Sequence, residues 1–130
     1  MQLQTKDKAE RFKVLAAGAR LAIIELLKQG PRKVSEICEA LGASQPAVSQ
    51  HLKILKAAGL VSDEKDGYWV SYSLNTAQLL EYKRELNGVC RCSHENENQT
   101  APERALLEVY KEELERELNE VKQQLKQSKA

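Results

Sequence analysis

Apolar positions recur at helical spacing through the first sixty residues. Phe12, Leu15 and Ala16 fall at i, i+3 and i+4 and predict a helix over residues 6–17. Leu21, Ile24 and Leu27 predict a second over 20–29, which Gly30-Pro31 ends. Val34, Ile37, Cys38 and Leu41 make a buried stripe on a short third helix, 35–41. Gly42-Ala43-Ser44 then turns the chain tightly into a fourth helix, 44–59, with Val48, Leu52 and Leu55 as its stripe. Ser44 can cap that helix, Pro46 is tolerated in its first turn, and Gly59 ends it. A short helix, a tight Gly-containing turn and a longer polar-faced helix form a helix-turn-helix pattern.

The period changes after Gly59. Val70, Tyr72 and Leu74 alternate with Ser71 and Ser73, as a half-buried strand requires, and Asp66-Gly67 is a two-residue hairpin signal. The hairpin carries a charged tip at residues 63–66. A helix-turn-helix followed by such a hairpin is a winged helix. Asn75 and Gln78 fit a capping box for the next helix, whose apolar face is Leu79, Tyr82, Leu86 and Val89, with Gly88 in place as its C-terminal stop. Residues 93–100 are polar throughout and read as a linker. Thr100 and Glu103 form a second capping box, with Pro102 between them. Beyond it Leu107, Leu114, Leu118, Val121 and Leu125 keep heptad spacing, interrupted by Lys111, over about three heptads. At ~1.5 Å per residue this helix is on the order of 40 Å long, and it must lay its stripe on its own domain or on a partner subunit. The expected fold is mainly α with a β-hairpin wing: a winged helix-turn-helix plus a long C-terminal helix.

The outward side of the fourth helix carries the candidate chemistry. Ser49, Lys53 and Lys56 line it, flanked by Gln45 and Gln50, and no carboxylate falls between Ser44 and Gly59. Amides and hydroxyls can hydrogen-bond base edges, and lysines can neutralise phosphates. A core helix with an ordinary solvated face shows the same pattern. Net charge is only +1, but residues 1–60 hold ten Lys/Arg against five Asp/Glu, and the remainder is net acidic. That asymmetry lets one surface approach phosphates while another avoids them. Lys65, in the wing, is either a solvated turn residue or a contact to the minor groove or backbone. Only 5% of residues are aromatic, so the core must be mainly Leu, Ile, Val and Ala, which suits helices. With no signal peptide and no membrane-spanning run, a cytoplasmic protein is expected. Three cysteines in a reducing compartment do not make a disulfide framework.

The run GARLAIIELLKQGPRKVSEICEALGASQPAVSQHLKILKAAGLVSDEKDGYWVSYSL resembles the winged-helix core of the ArsR/SmtB family of bacterial metal- and redox-responsive repressors. The likeness covers about residues 12–86 and rests on Arg20, the Ser44-Gln45-Pro46 entry, Ser49-Gln50-His51-Leu52 and the Gly59-Leu60-Val61 exit. It implies a homodimer built from the first helix and the Asn75 helix. Two recognition helices then enter successive major grooves of an operator roughly 34 Å apart, and an effector lowers operator affinity. It implies no enzyme activity, no required cofactor and no membrane partner. Carried over residue by residue, Ser44, Gln45, Ser49 and Gln50 contact bases or nearby phosphates, and Lys53 and Lys56 contact phosphates. His51 sits at the flank of the apolar stripe and reads as a packing and hydrogen-bonding residue or as a base reader. Residues 1–89 are then the DNA-binding and dimerisation domain, 90–100 a cysteine-containing linker and 101–130 an amphipathic helix. The founding arsenic sensors carry a Cys-x-Cys pair at the start of the third helix; here that place holds Lys33-Val34-Ser35. Cys38, one turn on, matches a cysteine of some members, yet it lies on the buried stripe, where a free cysteine is commonly a small core residue.

Cys90-Arg91-Cys92-Ser93-His94 follows the Gly88 stop. In a loop, two thiolates this close can fold around one soft ion such as trivalent arsenic, antimony, cuprous copper, mercury or cadmium. Arg91 favours the ionised thiols, and His94 could add an imidazole for a borderline ion such as zinc. Some relatives of the family place arsenic-binding cysteines in this C-terminal region. Cys90, Cys92 and His94 are thus the candidate effector ligands. The alternatives are thiol redox sensing, two exposed thiols without a ligand, or an interaction module that lacks an effector. A thiol oxidoreductase is disfavoured: the chain has no Cys-x-x-Cys, no glycine-rich phosphate loop, and only His51 and His94 as histidines.

Overall fold

The computed structural model describes residues 2–90 and 100–129. Its internal contacts divide the chain into two units, residues 1–83 and 84–130. The first runs α1 (Gln2–Leu15), α2 (Gly18–Leu27), β1 (Arg32–Lys33), α3 (Val34–Leu41), α4 (Gln45–Ala57), β2 (Val61–Asp66), β3 (Trp69–Leu74) and the start of α5 (Thr76–Cys90). Helices and wing follow the expected order. Ile23, Ile24 and Leu27 of α2, Ile37 of α3, Val48, Leu52 and Leu55 of α4, Leu60, Val61 and Tyr82 form one buried core. Cys38 is half-buried against it as a free thiol.

The first two helices depart from expectation in their bounds and facing. Ala17 adopts extended backbone (φ −143°, ψ 128°), so α1 stops at Leu15 and α2 begins at Gly18, earlier than residue 20. Starting there, α2 turns Ile23 fully inward, and Leu21, expected in the stripe, is 48% exposed. An apolar stretch as dense as LAIIELL offers more than one inward face, and packing selects among them.

The turn between α3 and α4 is fixed by the backbone. Gly42 has φ +63°, the left-handed region that other residues enter at a cost. Its N–H donates to Glu39 O and the next N–H, of Ala43, to Cys38 O, a pairing that satisfies the last carbonyls of α3. Ser44 then caps α4, its Oγ accepting from Ala47 N at 3.4 Å, with Pro46 in the first turn. At the far end of α4, Leu60 N–H donates to Leu55 O at 3.0 Å, and Leu60 O accepts from Asn75 N–H at 2.8 Å. That one residue therefore joins the end of α4 to the start of α5 across the base of the wing.

The wing is a three-stranded antiparallel sheet in the order β1-β3-β2. Asp66 pairs with Trp69, so the two-residue loop is Gly67-Tyr68 and not Asp66-Gly67. Gly67 takes the positive φ (+64°) alone, which fits a turn with glycine at its first central position. Strand β1 was not expected: Arg32 pairs with Tyr72 and Lys33 with Ser71. Two residues carry no periodicity; the strand exists because β3 offers a free edge to the chain that leaves α2.

In the second unit, Gly88 was expected to end α5. The helix instead passes through it to Cys90, and Gly88 does not adopt a positive φ. A glycine stops a helix only where the chain turns left-handed, and here it is an interior residue. Cys90 therefore belongs to a helix end and not to the linker. Helix α6 (Ala101–Ser128) opens with Thr100 N–H donating to Glu103 Oε2 at 2.8 Å, one arm of the expected capping box.

Candidate nucleic-acid interface

Helix α4 separates its two faces cleanly. Val48, Leu52 and Leu55 are at most 1% exposed, which anchors the helix by roughly 1.5–3 kcal/mol per side chain. Ser44, Gln45, Ser49, Gln50, Lys53 and Lys56 are all exposed on the other side. Among the described residues, the side chains of Gln45, Ser49, Gln50 and Lys53 make no hydrogen bond or ion pair, which leaves their polar atoms available to an outside partner.

Lys56 differs. Its Nζ lies 2.9 Å from each carboxylate oxygen of Asp63, which β2 brings up beside the end of α4. The hydrogen bond, more than the bare charges, raises the Lys56 ammonium above its ordinary 10.5 and holds the Asp63 carboxyl below its ordinary 3.8. The carboxylate-free side of the helix thus receives a carboxylate from the wing. Counting charges along the helix alone misses it; the signal available was an acidic residue just past a Gly-terminated helix, at the mouth of a hairpin.

Lys65 is exposed on β2, opposite Val70. Beside it the wing presents Tyr68, fully exposed, and Trp69, over whose ring Lys33 Nζ stands at 4.8 Å from the centroid. A hollow of about 310 Å³ lies between Lys33, Ser35, Gln45, Tyr68 and Trp69, joining the wing to the first turn of α4. None of these wing contacts was foreseen, because they depend on the unexpected β1 pairing.

His51 is half-buried, with Nδ1 3.5 Å from Arg20 Nη1. Arg20 also donates from Nε to Val14 O and from Nη2 to Lys13 O. One guanidinium therefore holds the last carbonyls of α1 against the middle of α4. This places His51 in a structural network, and gives Arg20, which sequence reasoning marked only by position, a definite task.

Of the thiol residues, Cys90 closes α5, while Cys92 and His94 lie outside the described residues. Among the described residues no three His, Cys, Asp or Glu side chains gather into a metal-holding group.

Residues 18–63, α2 to the first residues of β2, match the family described as bacterial regulatory protein, arsR family. The transcriptional repressor SdpR of Bacillus subtilis is 41% identical over 68 residues, covering 52% of this chain and 76% of that one.

The chain belongs to the ArsR family.

Two further relatives agree with this ArsR assignment. The repressor SmtB of Mycobacterium tuberculosis is 51% identical over 65 residues, covering 50% of this chain and 48% of that protein. The arsenical resistance operon repressor of Escherichia coli is 46% identical over 65 residues, covering 49% and 56%. The chain thus spans about half the length of these two relatives. All three are transcriptional regulators and none is an enzyme. Among solved structures, a possible transcriptional regulator for arsenical resistance aligns with a TM-score of 0.58 at 32% identity, covering 61% of this chain and 82% of that one. A homodimeric winged helix-turn-helix DNA-binding domain from Mycobacterium bovis aligns at 0.56 and 27% identity, covering 76% and 94%. The ArsR-type winged helix is therefore the fold of this chain.

Proposed function

We propose that two copies of this chain bind a double-stranded operator and repress transcription, and that a thiol-binding effector releases them. One observation carries the reading: a capped helix, pinned by three buried residues, turns outward a row of unpaired amide, hydroxyl and ammonium groups. Gln45, Ser49 and Gln50 are suited to base edges, with Ser44 at the helix entry and Lys53 on phosphate. Lys65 approaches the backbone from the wing, and Lys56 reaches a phosphate only by leaving Asp63. The homodimer reading is supported by the homodimeric relative and by Leu80, Leu86 and Val89, exposed apolar residues of α5. Such a repressor works in the cytoplasm; among the described residues no helix is long and apolar enough to cross a membrane.

Cys90 and Cys92, with His94 as a third donor, are the proposed effector ligands, and trivalent arsenic or antimony is the first candidate, ahead of other soft ions. Thiolate chemistry and the arsenical-resistance names of two similar proteins support this. A coupling of about 1–3 kcal/mol between that site and α4 suffices for release. Gel shifts with DNA from the protein's own promoter test the reading. Retarded DNA should be freed by arsenite, and Cys90→Ser or Cys92→Ser should abolish release while leaving binding intact. An unchanged arsenite response in both variants removes the thiol site; release by a disulfide-forming oxidant alone reassigns it to redox sensing. A binding constant that does not fall steeply with salt removes DNA as the partner.

A further inference from the structure

Helix α6 spans 28 residues with none buried, and Leu114, Leu118, Val121 and Leu125 are between 41% and 57% exposed. Their 4-3-4 spacing makes a continuous seam, with Leu118 and Leu125 at a and Leu107, Leu114 and Val121 at d of a heptad. We propose that this seam is covered by α6 of a second copy, in a parallel, in-register two-stranded coiled coil. The proposal rests on the homodimer read above.

Charge decides the partner and its direction. The same heptad puts Glu108, Glu115, Lys122 and Lys129 at e and Tyr110, Glu117 and Gln124 at g. In a parallel pair each g residue meets the e residue five positions on in the other helix, so Glu117 faces the partner's Lys122, twice by symmetry, and Gln124 faces the partner's Lys129. An antiparallel pair that sets Leu118 against the partner's Leu114 instead brings Glu115 against the partner's Glu115 and Glu117 against the partner's Glu117. The like-charged arrangement is the antiparallel one. Arg104 and Lys111 occupy the first two a positions. They weaken the N-terminal end of the seam, and Lys111 sets the register, since a heptad slip would place it opposite Leu118. Three heptads with two charged a positions pair weakly alone. Joined to a domain that already dimerises, they meet at an effective concentration in the millimolar range.

The test uses the full-length chain carrying Cys38→Ala, Cys90→Ser and Cys92→Ser, with one new cysteine at a time, equilibrated in a glutathione buffer and read on a non-reducing gel beside sedimentation. Leu118→Cys and Leu125→Cys should give disulfide-linked dimers, about tenfold more than Gln123→Cys on the opposite face. Glu117→Lys should lower cross-linking in the Leu118→Cys background, and adding Lys122→Glu should restore it. A chain that sediments as a dimer but cross-links at 118 no better than at 123 overturns the coiled coil and leaves the homodimer standing. Cross-linking only when cysteines at 114 and 118 are both present overturns the parallel direction. A chain that sediments as a monomer overturns both readings.

Discussion

Lys56 on the recognition helix and Asp63 on the wing are joined by an ion pair in which one ammonium meets both carboxylate oxygens at 2.9 Å. The contact ties the end of α4 to β2 and occupies a cation that faces the same side as Gln45, Ser49 and Lys53. A phosphate at this position must compete with Asp63 for Lys56, so the resting protein carries its own weak substitute for the DNA backbone.

Asp63→Asn should therefore tighten operator binding several-fold and steepen the dependence of log K on log salt by roughly one per subunit, measured by fluorescence anisotropy across salt. The pH window follows from the shifts. Asp63 lies below 3.8, so the pair is intact above that value and is lost as pH falls through the folded value. Lys56 lies above 10.5, so the pair is also intact below that value and is lost as pH rises through the folded value. The advantage of Asp63→Asn should accordingly stay flat from about pH 5 to 9. A difference that changes sign within that range contradicts the pairing.

The free polar groups of α4 separate into two kinds by their readout. Gln50→Ala or Ser49→Ala should reduce preference for the operator over unrelated DNA by about 1–3 kcal/mol and barely alter binding to the unrelated sequence. Lys53→Gln should weaken both equally and flatten the salt slope by roughly one per subunit. Equal losses on both sequences for Gln50→Ala would remove base contact from that residue.

Arg20 is predicted to act on stability through three acceptors at once. Arg20→Ala should lower the free energy of unfolding by about 1.5–3 kcal/mol in a urea titration, because it removes a charged donor from two α1 carbonyls and from His51. His51→Ala should lower it less, and the double variant should fall short of the sum, since both remove the same contact. Strict additivity would show that Arg20 and His51 do not interact.

The turn between α3 and α4 offers a purely backbone test. A Cβ at Gly42 meets nothing within 4 Å, so Gly42→Ala should cost about 1–2 kcal/mol from the left-handed φ of +63° alone. Thermal unfolding checks this, and a neutral outcome would show that the turn adapts.

Much of this architecture was legible because it is local. The stripe of Val48, Leu52 and Leu55, the Ser44 cap and the Gly42 and Gly59 helix ends are settled by residues within one or two turns of each other. So is the alternation of Val70, Tyr72 and Leu74. What the sequence hid depends on distant pairing. Strand β1 needs the free edge of β3, some forty residues later. The Gly67-Tyr68 loop differs by one residue from the dipeptide signal, since register comes from which side chains reach the core. Lys56 lost its freedom to a carboxylate contributed by another element, and Arg20 found its carbonyls only once α1 broke at Leu15. Gly88 misled because the same residue serves as a helix stop or an interior position according to a dihedral angle that composition does not set.

Leu60 turns the wing into a hinge without play. Its amide is committed to Leu55 and its carbonyl to Asn75, both at buried depth, so neither bond can open without stranding a polar group at about 1–3 kcal/mol. Any tug that shifts the head of α5, from whatever lies further along the chain, arrives at the tail of the reading helix through a single peptide unit.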